Sequence, residues 1–111
     1  MKPRLLFVCS RNQWRSPTAE EIYRPDARLE VRSAGVSGSA RHTISQADID
    51  WADLILVMVP THKRRIIECF HDSELPPIES LDIPDDYQPM DAELIDLIQA
   101  ATEPLLIRLL S

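Results

Sequence analysis

Hydrophobic and polar positions change period several times along this chain, and each change predicts an element. Leu5 to Cys9 is a short continuous apolar run, as expected of a strand buried on both faces. Ser16-Pro17-Thr18-Ala19-Glu20 then has the signals of a helix start. Serine stands at the cap, proline at the first helical position and an acid in the first turn, and the helix should end before Pro25. Leu29 to Ala34 alternates apolar and polar residues up to Gly35 and reads as a second strand, with a small polar loop from Val36 to Thr43. Ser45-Gln46-Ala47-Asp48 opens a short helix through Trp51. Leu54 to Val59 is a third buried strand stopped by Pro60, and Thr61 caps a helix to about Phe70. A loop from His71 to Pro77 leads to a fourth strand, Ile78 to Ile83, and to the turn Pro84-Asp85-Asp86. Asp91 begins a last helix with Leu94, Leu97, Ile98, Ala101 and Leu105 on one face, which Pro104 should bend.

Strands that alternate with helices predict an α/β fold, a three-layer sandwich whose four-stranded parallel sheet is flanked by helices. The 111 residues suit one domain spanning 1–111. In such open sheets ligands bind beyond the carboxyl ends of the strands. Cys9 lies at the end of the first strand, Pro60 and Thr61 after the third, and Asp85 after the fourth.

Charge narrows the choice of ligand. The net charge of −6 disfavours bulk nucleic-acid binding. It is uneven, however: residues 1–65 hold 11 Lys and Arg against 7 Asp and Glu, whereas residues 66–111 hold one against 11. An anion site belongs in the first part. No apolar run is long enough to span a bilayer, and Leu5-Leu6-Phe7-Val8 is too short for a secretory core, so no membrane association and a cytoplasmic location are expected. Two cysteines are too few for a disulfide scaffold and lack zinc-ligand spacing, so no metal is expected. Cys69, among Ile66, Ile67 and Phe70, reads as a buried, inert thiol.

Cys9-Ser10-Arg11-Asn12-Gln13-Trp14-Arg15-Ser16-Pro17 carries the chemistry. The pattern is C-x5-R-S between a predicted strand and a predicted helix. A chain curling from strand into helix turns successive N–H groups inward and forms an anion nest at the positive helix end. Residues Ser10 to Arg15 would thus hold a phosphate, with the Arg15 fork matched to two of its oxygens. The same field favours a thiolate at Cys9, and Ser16 is placed to donate a hydrogen bond to it. Trp14 either flanks a substrate ring or packs against the first helix. Trp51 reads as core, and His42, His62 and His71 read as surface residues.

At these residues the sequence resembles the low-molecular-weight protein tyrosine phosphatase family. Cys9, Asn12, Arg15, Ser16 and Pro17 fit its loop pattern C-x-x-N-x-x-R-S-P, and Ser33-Ala34-Gly35 looks like its S-A-G turn. Ala40-Arg41 through Met58 is similar to its third-strand region. Pro84-Asp85-Asp86-Tyr87 resembles its acid-bearing loop, D-I/V-P-D-P-Y/F. The resemblance implies a phosphomonoester hydrolase, expected to be a cysteine-dependent protein tyrosine phosphatase working through a cysteinyl-phosphate. Cys9 would be the nucleophile, Arg15 the phosphate clamp and Asp85 the general acid. Asn12 and Ser33 would support the loop, and Tyr87 would flank the substrate. It implies no cofactor, and as substrate a phosphorylated protein or a small aryl phosphate. The chain departs from the family in its short segment between Gly35 and Ala40, which in the family carries a helix and an aromatic wall of the cleft. Val59 stands where an acid is usual, and Asp86 stands where proline is.

Alternatives remain at this point. Asp82 and Asp86 compete with Asp85 for the acid role, since the loop holds three carboxylates. An arsenate reductase-like thiol enzyme shares this loop, but it relays oxidation through further cysteines near the end of the third strand, where Met58-Val59-Pro60-Thr61 has none. A non-catalytic phosphate-binding module is the third reading. Thr61-His62-Lys63-Arg64-Arg65 should stand at the rim of the same sheet edge, where Lys63 or Arg64 either reaches the acidic C-terminal half or steers an acidic phosphopeptide.

Overall fold

The apolar run near the start of the chain becomes the strand around which the others assemble. The computed structural model describes residues 2–111. It contains β1 (Arg4–Cys9), α1 (Arg15–Tyr23), β2 (Glu30–Gly35), α2 (Gln46–Trp51), β3 (Leu54–Val57), α3 (Pro60–Cys69), β4 (Ile78–Ser80) and α4 (Ala92–Leu110). The four strands are parallel, in the order β2-β1-β3-β4, and Leu5 lies between Val31 of β2 and Leu54 of β3. The fold is the expected α/β sandwich. The chain runs from β1 to β2 on one side and then to β3 on the other, so the order reverses at β1. The crevice beyond its carboxyl end is where open sheets of this kind bind ligands.

A strand with covers on both faces must be apolar at every position, and Leu5, Leu6, Phe7 and Val8 are fully buried. Because side chains alternate, Leu5 and Phe7 pack with Ala19 and Tyr23 of α1 and with Leu94, Ile98 and Leu106 of α4. Leu6 and Val8 pack on the other face with Ile49 of α2 and Ile66 of α3. The expected apolar face of α4 is the one that meets the core: Leu97, Ala101 and Leu105 join it, partly buried. The helix continues through Pro104 to Leu110. Pro104 and Ala100, the residue whose carbonyl loses its N–H partner, are both exposed, so water can satisfy that carbonyl.

Several boundaries differ from the sequence expectation. α1 begins at Arg15, with Trp14 rather than Ser16 at the cap and no acid in its first turn. Arg15 and Ser16 are drawn into the helix because both side chains are buried against the sheet edge. The third strand stops at Val57. Pro60, expected to follow it as a break, is the first residue of α3 and Val59 its cap in place of Thr61. Pro60 suits that position because its missing N–H would have no helical partner there. β4 ends at Ser80, since Asp82 takes φ 55° and turns the chain out of the sheet. Trp51 is only partly buried, with the Arg32 guanidinium 4.3 Å above its ring. Cys69 is exposed at the end of α3, not buried; Ile66 alone of the neighbouring apolar residues is turned fully inward. Among the described residues no helix is long and apolar enough to cross a membrane.

α2 is a six-residue helix, too short to stand on intrinsic propensity. A capping box secures it: the Asp48 N–H donates to Ser45 Oγ at 3.3 Å and the Ser45 N–H donates to Asp48 Oδ2 at 3.0 Å. Ser45→Ala should lower the unfolding free energy by about 1 kcal/mol. Urea denaturation of both proteins checks this; an unchanged midpoint would mean that Asp48 alone holds the end of the helix.

Candidate active site

Cys9 ends β1 almost wholly buried, and the next five residues bend the chain back into α1. The bend needs one residue in the left-handed region, and it is Asn12, with φ 55°. Asparagine tolerates that conformation better than most side chains. The Asn12 amide then ties the loop to its base, donating to Ser16 Oγ and to Ser33 Oγ, both at 2.9 Å. The Ser33 hydroxyl in turn donates to the Glu20 carboxylate. Ser16 Oγ lies 3.0 Å from Cys9 Sγ. Ser16 Oγ accepts from Asn12, and its one hydrogen is shared between the sulfur and the Ala34 carbonyl oxygen, 3.3 Å away.

The outside of the loop is fastened by the segment after β2. Val36 N–H donates to the Cys9 carbonyl at 3.0 Å, Ser37 N–H to the Ser10 carbonyl at 2.9 Å and Arg41 N–H to the Arg11 carbonyl at 3.1 Å. Gly35 allows this approach. A Cβ there would sit 2.6 Å from the Ser10 carbonyl oxygen and 3.0 Å from the Asn12 nitrogen. The carbonyls of the loop's first half are thus bonded from outside. Among the described residues none of the backbone N–H groups of residues 10–14 has a protein acceptor. Unbonded donors beside a helix N-terminus favour an anion.

Arg15 brings the second part of the site. Its guanidinium is buried (side chain 6% exposed) and donates to the Ile83 carbonyl at 2.9 Å, with Nε 3.5 Å from Asp85 Oδ1. The 81–90 loop is pinned at both ends, by the Ile83 N–H on the Met58 carbonyl at 2.7 Å and by the Met90 N–H on Thr18 Oγ1 at 3.1 Å. Asp85 is the acid that this loop presents to the site. Asp82 is exposed and held by the Ser80 hydroxyl at 2.7 Å, away from the hollow. Among the described residues no three His, Cys, Asp or Glu side chains converge as a metal site.

The result is a hollow of about 300 Å³ lined by Cys9, Ser10, Arg11, Gln13, Trp14, Arg15 and Asp85. The structure therefore gathers most of the residues singled out in the sequence. Trp14 stands open at the rim, 38% exposed, and so does not pack under the first helix. Asn12, expected among the phosphate-binding residues, is buried and does not line the hollow; its side chain is directed into the loop's supports. Ser16 and Ser33 lie behind the loop as expected of supports. Tyr87 does not line the hollow and packs, partly buried, against the core face that holds α1 and α4.

His62 escaped the sequence reading, which placed it on the surface. It is buried, 6% exposed, in the first turn of α3. Its Nδ1 accepts the Val59 N–H at 3.4 Å, so the ring does the work that an N-terminal cap residue does elsewhere. The only sequence signal was its place three residues after Val59, where a side-chain acceptor can reach back to the cap. Burial, and next the neighbouring Arg15 cation, lower its pKa from 6.5 to about 4; the Asp85 carboxylate opposes this. Between those values the unfolded chain binds a proton that the folded chain resists, so stability present above pH 6.5 is lost as pH falls towards 4. His62→Gln removes the titration and keeps an acceptor. Its melting temperature relative to the parent should rise as pH is lowered from 7 to 4; a constant difference across that window would disprove the coupling.

No family model and no curated protein matches the sequence. Solved structures do. A low-molecular-weight protein tyrosine phosphatase from Streptococcus pyogenes superposes with a TM-score of 0.82 at 20% identity, over 100% of this chain and 95% of its own. The YwlE arginine phosphatase from Geobacillus stearothermophilus gives a TM-score of 0.67 at 26% identity, over 97% and 96% of the two chains. The tyrosine phosphatase Wzb from Escherichia coli K30, solved in complex with phosphate, gives 0.71 at 21% identity over 98% and 99%. From end to end, this chain has the fold of the low-molecular-weight protein tyrosine phosphatases.

Proposed function

We propose that the protein is a phosphomonoester hydrolase that works through a cysteinyl-phosphate, with phosphotyrosine in a protein as its expected substrate. One observation carries the reading: Ser10, Arg11, Gln13 and Trp14, whose backbone N–H groups have no protein acceptor among the described residues, line one hollow with Cys9, Arg15 and Asp85. A tetrahedral dianion set there receives donors on its outer oxygens from the amides and Arg15, while the sulfur lies beneath the phosphorus. The folds it matches include tyrosine and arginine phosphatases, which supports phosphoryl chemistry at this position.

In the first step the Cys9 thiolate attacks phosphorus in line, the S–P bond forms and the P–O bond to the leaving group breaks. Asp85 gives its proton to the departing oxygen. In the second step Asp85, now a carboxylate, takes a proton from water as that water attacks phosphorus. The S–P bond breaks, and phosphate and thiolate are released. Arg15 and the loop amides stabilise the charge that builds on the equatorial oxygens in both steps. Ser16 steadies the sulfur as a leaving group by its hydrogen bond. The reading needs no cofactor.

Arsenate reduction would need a second thiol within reach of Cys9. Cys69 stands at the far end of the ten-residue α3, a rise of roughly 15 Å from its first turn. A purely phosphate-binding module would not need an acid poised at the mouth, and Asp85 is held there against Arg15.

Cys9→Ser should lower turnover of para-nitrophenyl phosphate by at least ~10³-fold while vanadate binding persists, because the amides and Arg15 survive the change. Residual hydrolysis near the parent rate would remove Cys9 from the mechanism. Asp85→Asn should slow phenyl phosphate by about 10²-fold to 10⁴-fold and para-nitrophenyl phosphate far less, since only the poorer leaving group needs the proton. The ratio of the two rates in parent and variant is the measurement. An unchanged ratio would leave Asp85 as a partner of Arg15 only.

A further inference from the structure

A second groove, of about 470 Å³, runs beside the first hollow and joins it at Ser10. One wall is the short turn Val36-Ser37-Gly38, bonded to the loop through the Ser37 N–H. The other is α3, from Thr61 and His62 through Arg64 and Arg65 to Glu68. Lys63 is exposed but does not line it.

The two arginines outnumber the one acid, Glu68, on this wall. Among the described residues neither Arg64 nor Arg65 takes part in an ion pair, and neither do Arg11 and Arg41. Arg4, Arg15, Arg24, Arg28 and Arg32 do pair. Arg11, Arg41, Arg64 and Arg65 thus lie on the loop, on the segment bonded to it or on α3. The 11 acids of residues 66–111 leave them free. Local structure gives no reason for cations here either. The first turn of α3 has no acid that could pair with them. His62, held neutral by burial, adds no charge.

We propose that this groove is a second anion subsite, which takes a carboxylate or second phosphate of the polypeptide whose phosphorylated residue occupies the first hollow. This deepens the phosphatase reading and rests on it. A polypeptide fits because the α3 wall from Thr61 to Glu68 is about 10 Å long, the reach of roughly three extended residues. An acidic residue within three positions of the phosphorylated one meets Arg64 and Arg65. Glu68, at the far end, repels an acid placed further on. Guanidinium forks accept carboxylate and phosphate alike.

The test uses three phosphotyrosine peptides of one length: one with glutamine beside the phosphotyrosine, one with glutamate there and one with a second phosphorylated residue. The protein should turn over at least one anionic peptide with a kcat/KM about tenfold or more above the neutral one, and added salt should shrink that ratio. Which peptide gains identifies the source of the anion. In R64Q/R65Q the ratio should fall towards one. Gly38→Glu is a second probe, because a Cβ at Gly38 meets nothing within 4 Å and its carboxylate would stand at the groove; it too should depress the ratio. A parent ratio of one, or a ratio that survives both variants, overturns the subsite and leaves the phosphatase reading intact. Absence of turnover of every peptide and of para-nitrophenyl phosphate overturns both.

Discussion

The site depends on a division of labour within five peptide groups. The carbonyls of Cys9, Ser10 and Arg11 are bonded by the 36–41 segment, whereas the N–H groups of residues 10–14 have no protein acceptor among the described residues. Such an arrangement is unfavourable by itself, because polar groups near the interior normally find partners. It persists because each support is independent: the left-handed Asn12, its amide on Ser16 and Ser33, and the bare Cα of Gly35 pressed against the loop. The donors are therefore oriented before any anion arrives, and binding one costs little reorganisation.

The buried cation at the same place is handled in a related way. The Arg15 side chain is 6% exposed, and a charge so placed needs hydrogen bonds as well as a counter-charge. The Ile83 carbonyl supplies the first and Asp85 the second. Both come from the 81–90 loop, so the segment that presents the proposed acid also orients the proposed phosphate clamp. His62 adapts from the other side. Its ring stays neutral beside Arg15 and caps a helix that has no cap side chain of its own.

Charge is arranged on a larger scale than any one contact. Arg4, Arg24, Arg28 and Arg32 find ion-pair partners away from the loop and Arg15 pairs with Asp85, whereas Arg11, Arg41, Arg64 and Arg65 stay unpaired among the described residues. A cleft with one sign of charge concentrates anionic ligands in proportion to that imbalance. The acidic second half gives the protein its net negative charge and contributes Asp85 to the site.

Some of this was written in local sequence. The continuous run Leu5 to Val8 requires a strand covered on both faces. The period of the last helix names its buried side, and the C-x5-R-S string between strand and helix locates the proposed anion nest. These are short-range signals, since hydrophobic period and turn chemistry act within a few residues. What lay beyond reach involves partners far apart in sequence. Asp82 and Asp85 are the same residue type on one loop; only the path of the chain after the left-handed Asp82 carries Asp85 to Arg15, 70 positions away. His62 looked like one more polar residue on a basic helix, and it is buried because α3 packs beside the Arg15 pocket. Cys69 looked like core and is exposed, because rotation of a helix about its axis is set by the neighbour it packs on. A one-residue change in that phase turns a side chain by about 100°. Sequence alone thus determined most of which residues form strands and helices and where the proposed phosphate loop stands. Tertiary packing decided which acid, which histidine and which arginines face it, because those choices rest on contacts between elements and not on order along the chain.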